Sequence, residues 1–104
     1  MITYTWYRSG ALFAMRYVMP AGTQLKEHVH NHDTLHNVCV MSGRIAFSGE
    51  FPRELLPGDI FDFDGTKPHT LAAVEDSVIL NYFLNGIPPG YAGLPTSEHS
   101  GTIP

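Results

Sequence analysis

Apolar and polar residues alternate along much of this chain, and nowhere do apolar residues recur every three to four positions over three turns. Ile2, Tyr4 and Trp6 alternate with Thr3, Thr5 and Tyr7, the period of two that sends successive side chains to opposite faces of a strand. Similar short runs return at 12–19, 23–29, 35–41, 44–48, 59–63, 69–75 and 77–84, with a shorter one at 51–56. Turn signals separate them: Ser9-Gly10, Pro20-Ala21-Gly22, Ser42-Gly43, Gly49, Pro57-Gly58 and Asp76. Pro52 cannot donate to a ladder, so 51–56 belongs at a sheet edge. Many short strands at this spacing predict an all-β, antiparallel sandwich or barrel. Residues 85–104 are rich in Gly and Pro and carry no period. They read as an irregular tail laid over the barrel or a neighbouring subunit.

A chain of 104 residues is one small domain, with no internal repeat and no second unit. Its hydrophobic fraction of 43% is enough for a core, while its charged fraction of 15% is low for a folded surface. That deficit suggests that self-association covers part of the surface. The net charge of −4, with no run of Lys or Arg, argues against nucleic acid or an anionic membrane as partner. No apolar stretch approaches the ~20 residues of a membrane helix. The N-terminus lacks a basic start followed by an apolar run, so a cytoplasmic location is expected. Cys39 is the single cysteine, which rules out an intrachain disulfide. Its setting, NVCVM, is that of a packed strand residue.

The chemistry is concentrated in HVHNHDTLH, residues 28–36, where His28, His30, His32 and His36 share parity. On an unbroken strand they would line one face, and a turn near Asn31–Thr34 would bring His36 back across from His30 and His32. Val38 and Val40 continue that face inward. Neutral imidazole is a good ligand for divalent transition metals, and a buried cluster of imidazoles without one would be costly. A ligand from a distant strand would complete the site, and His69, in DGTKPHTL before an apolar run, is placed to supply it. His99 reads as a solvated tail residue.

With these residues the chain resembles the cupins, a superfamily of small β-barrels. The first cupin motif is, in outline, G, five residues, HxH, three or four residues, E, six residues, G. Here His30-Asn31-His32 supplies HxH, His36 stands three residues later where the motif has Glu, and Gly43 follows after six more. Gly22 lies two residues too far upstream for this reading. Taking His28 and His30 as HxH restores that spacing but lengthens the distance to position 36. The second motif resembles PGDxxxxPxGxxH, opened by Pro57-Gly58-Asp59 and closed by Pro68-His69. Its central proline is replaced by Asp64-Gly65, and Ala73 stands at its final asparagine. The resemblance covers about residues 12–84.

The resemblance implies an antiparallel jelly-roll barrel, a double-stranded β-helix, built as a single domain over 1–104. It implies one divalent transition metal per chain (Fe, Mn, Ni or Zn) held by His30, His32, His36 and His69, with His28 as an alternative ligand. Phe61, Phe63 and Tyr82 are candidates to line the pocket, and Asn81 is a further polar candidate. Asp62 and Asp64 are turn carboxylates within possible reach of the histidines. Two functions stay open. One is a non-haem, dioxygenase-like enzyme acting on a small organic substrate, an acid or a diketone-like molecule. The other is a non-enzymatic metal-bound barrel that binds or senses a small ligand. Cupins commonly pair, which implies a homodimer, with the N-terminal strand carrying Trp6 and Tyr7, and the Pro-rich tail, at the interface.

Overall fold

The structure, a computed structural model, describes the backbone of residues 1–9, 12–28, 35–64, 67–84 and 99–103, and side chains within 1–5, 14–25, 37–62 and 67–82. The described residues form ten strands: β1 (Ile2–Ser9), β2 (Leu12–Met19), β3 (Gln24–His28), β4 (Leu35–Ser42), β5 (Ile45–Ser48), β6 (Arg53–Leu55), β7 (Ile60–Asp64), β8 (His69–Ala73), β9 (Ser77–Leu84) and β10 (His99–Ile103). They make two antiparallel sheets, ordered β10-β1-β2-β9-β4-β7 and β3-β8-β5-β6. The all-β antiparallel class expected from the alternation is therefore present. No described helix is long and apolar enough to cross a membrane.

Alternation places the core. On β9, Ser77, Ile79 and Asn81 are buried, and on β4 Val38 and Val40 are buried while Asn37 and Cys39 are half-exposed. On β8, His69, Leu71 and Ala73 face inward. The two inner faces meet over Met15, Tyr17, Met19, Val38, Val40 and Ile79 from one sheet and Ile45, Phe47, Leu55 and Leu71 from the other.

Two turns show why their residues are needed. Gly58 has φ +89° and follows Pro57, whose ring presets the preceding φ, giving the positive-φ third position of a type II turn. Asp59 N–H donates to the Leu56 carbonyl at 2.9 Å, and Asp59 Oδ2 accepts from Leu56 N–H at 2.8 Å. Gly58 N–H donates to the Val40 carbonyl at 2.9 Å, so the Pro-Gly-Asp turn is clipped to β4. Gly43 has φ +87°, and a Cβ there would collide with Ser77 Oγ and the Asp76 carbonyl.

One expectation needs correction. The segment 85–104 is not irregular to its end, because β10 pairs with β1 from Trp6↔His99 to Ile2↔Ile103. Without β10, β1 would present a row of unpaired N–H and C=O groups at the sheet edge. This pairing also means that β1 has neighbours on both sides, β10 and β2.

Candidate metal centre and its cleft

His69 opens β8 and is only 2% exposed. Its Nδ1 lies 2.9 Å from the Lys67 carbonyl oxygen. A carbonyl can only accept, so Nδ1 carries the proton and donates. In the neutral ring Nε2 is then the lone-pair nitrogen, the arrangement found in metal-binding histidines whose other nitrogen is held by a carbonyl. Pro68 disfavours helical backbone at Lys67, which suits an extended approach into the strand. The ring is stacked beside Phe47, with centroids 6.3 Å apart and planes at 15°.

The β3–β8 ladder decides what stands across from His69. Gln24 pairs with Ala72 and Leu25 with Leu71, so an unbroken ladder would set Glu27 opposite His69. A bulge between Leu25 and His28 inserts one residue, and His28 takes that place. The shared parity of His28 with the later histidines is thus not enough to place it. The bulge resets which parity of β3 shares a face with His69.

On β4, the position of His36 falls on the face that carries Val38 and Val40, between Phe63 of β7 and Phe83 of β9. The side chains of His28, His36 and Phe63, and all of His30 and His32, lie outside the described residues. Among the described residues no group of three or more His, Cys, Asp or Glu is arranged to hold a metal.

A cleft of about 620 Å³ opens beside His69, within the range typical of small-molecule sites. Phe47, Phe51, Phe61, Arg53 and Lys67 line it together with His69, and the carboxylates of Glu50 and Asp62 contribute to its wall. Phe47 and Phe61 meet edge-on, with centroids 4.8 Å apart at 68°. The Arg53 guanidinium carbon lies 4.9 Å from the Phe61 centroid, a cation–π distance.

Tyr82 is not among the lining residues. It belongs to the β9 face opposite Asn81, which is the buried one at 4% exposure. The pleat separates the two: adjacent strand residues face opposite sides, so Asn81 is the one directed to the core. Asn81 sits between Met15 and Val38. Its Oδ1 accepts no hydrogen bond among the described residues. Phe51, Arg53 and Lys67 were not singled out from the sequence. The one available signal was the shared parity of Arg53 and Leu55, too short a pattern to read in a three-residue strand.

No family model matches the sequence, and no curated protein matches it. Solved structures do. An RmlC-like cupin from Desulfovibrio desulfuricans is 23% identical with a TM-score of 0.73, covering 82% of each chain. The chain has the cupin fold. The DMSP lyase DddQ from Ruegeria pomeroyi DSS-3 is 24% identical with a TM-score of 0.63, over 88% of this chain and 43% of that one. The Cupin_2 domain of an XRE family transcriptional regulator from Enterobacter cloacae is 15% identical with a TM-score of 0.68, over 82% and 98%. One cupin barrel thus serves in a lyase and another in a regulator, so the function of this one has to be argued from its site.

Proposed function

We propose that this cupin binds one divalent transition metal through His69, His28 and His36, with His30 or His32 completing the set, and presents it to a small organic molecule entering by the cleft. The observation that carries the reading is the β3–β8 register, which sets His28 opposite His69, and it is supported by the Nδ1 donation that leaves Nε2 of His69 with its lone pair. Directly opposed residues of an antiparallel pair share a face, so the register supports taking His28 and His30 as the HxH pair, at the motif's spacing from Gly22. The opposing reading, His30 with His32, keeps the motif's spacing to His36.

An Fe, Mn or Ni ion there would supply Lewis acidity with open coordination positions, whereas zinc would favour a closed tetrahedral site. The chain's own part is to orient His69 through the Lys67 carbonyl and to wall the cleft with phenylalanines that exclude water. With an open ion the activity to test is oxygenase chemistry on a small organic acid. The likeness to a regulator's cupin domain supports a second reading, a metal-bound barrel that senses a ligand without turnover.

The test is elemental analysis of protein purified without a histidine tag or chelators, beside His69→Ala. About one iron, manganese or nickel per chain, absent from the variant, is expected, and oxygen consumption with small organic acids then separates enzyme from sensor. Stoichiometric zinc would favour the sensor, and protein devoid of metal would remove both readings.

We also infer a homodimer formed through the outer face of the six-stranded sheet. Ile60, Met41 and Val18 are 71%, 54% and 40% exposed there, beside half-buried Cys39, Val78 and Leu80.

A further inference from the structure

Arg53 stands at the wall of the cleft beside His69. On β6 it shares parity with Leu55, which is 0% exposed. The ladder sets it opposite Phe47, itself opposite Leu71, so it continues the row of the buried Phe47 and Leu71 out to the cleft. Arg53 is itself exposed, so its guanidinium sits hydrated at the open end of that row, where an entering molecule would meet it. Arg44, on the same hairpin, has a carboxylate partner, Glu54, at 3.1 Å. Among the described residues Arg53 has none: neither Glu50 nor Asp62, although both line the cleft, forms an ion pair with it. Its guanidinium lies over the face of Phe61. A guanidinium over a ring face without an ion-pair partner keeps N–H donors for a ligand, and its planar fork can receive a carboxylate with two parallel hydrogen bonds.

We propose that the cleft recognises a small organic carboxylate with a planar apolar body, gripped at its carboxylate by Arg53 and packed among Phe47, Phe51 and Phe61. Lys67 adds a second positive charge to the same wall. Phe51 is 73% exposed at the cleft, an aromatic surface that a bound ligand would cover. This assignment rests on the reading of the cleft as the approach to the metal centre, and it supplies that reading's substrate class.

The experiment is an NMR titration of the intact protein with benzoate and with its neutral isostere benzamide, in metal-free and metal-loaded forms. Wild-type protein is expected to bind benzoate more tightly than benzamide. Arg53→Gln should weaken benzoate by about tenfold or more and leave benzamide unchanged, with Arg53→Lys, which keeps the charge but not the fork, falling between. Equal affinity for the two probes, no binding of either, or unaltered benzoate affinity in Arg53→Gln would overturn the proposal. Benzoate binding through Arg53 by a protein that takes up no metal would uphold it while removing the metal centre. A metal-loaded protein indifferent to benzoate would do the reverse.

Discussion

His28 stands across the β3–β8 ladder from His69 because a bulge after Leu25 displaces Glu27 from that place. A one-residue slip in a strand exchanges its two faces, so the bulge determines whether a carboxylate or an imidazole position accompanies His69. The position opposite His69 thus goes to histidine, and Glu27 is displaced from it.

The first prediction follows from that register. His28→Ala and His69→Ala should each lower metal affinity by at least about tenfold, while His32→Ala should retain most of it. Competition of purified variants with a chelator of known affinity reads this out. Loss in His32→Ala with full retention in His28→Ala would return the assignment to the His30-Asn31-His32 pair.

Gly22 and Gly43 make a matched pair. Both have φ +87°, but a Cβ at Gly22 meets nothing within 4 Å, whereas one at Gly43 runs into Ser77 and Asp76. Gly22→Ala should cost about 1 kcal/mol, the strain of a left-handed alanine. Gly43→Ala should cost more, about 3 kcal/mol or above, because backbone must also move. Denaturant midpoints of the two variants would show it, and equal losses would mean that the crowding at Gly43 relaxes freely.

Asn81 is 4% exposed, and its Oδ1 accepts nothing among the described residues. Its ladder neighbours Met15 and Val38 cannot donate. An unsatisfied buried acceptor costs about 1–3 kcal/mol, so Asn81→Leu should raise the stability of metal-free protein by about 1 kcal/mol. A fall in its thermal midpoint would indicate that Asn81 is satisfied by a solvent molecule or that leucine does not fit.

Ile60→Glu places a charge on the edge strand β7 of the apolar outer face, at a residue 71% exposed and so outside the core. The wild type is expected to be a dimer and the variant a folded monomer, as read by light scattering with circular dichroism alongside. A wild-type monomer at micromolar concentration would remove the dimer, and a dimeric Ile60→Glu would move the interface elsewhere.

Much of the fold was legible because strand periodicity is a local property. The alternation over 12–19 and 77–84 matches β2 and β9 at both ends, and Pro57-Gly58 announced a turn that the backbone makes. His69 was legible as a candidate because a histidine before an apolar run stands out in so polar a segment. β10 was not legible: HSGTI carries almost no apolar pattern, and it becomes a strand by completing the exposed edge of β1, a requirement that exists only after β1 is in its sheet. Arg53 was equally hidden, since three residues do not define a face until Leu55 is seen in the core.

By itself, then, the sequence determined the local periods, the turns and the supply of imidazoles, because backbone geometry and side-chain chemistry are written residue by residue. Tertiary structure alone decided which histidine faces which, that Asn81 rather than Tyr82 turns inward, and that Arg53 and three phenylalanines share a cleft with His69. Those depend on ladder register and on the meeting of two sheets, where a single bulged residue in β3 changes the partner of His69 without changing any residue's own preference.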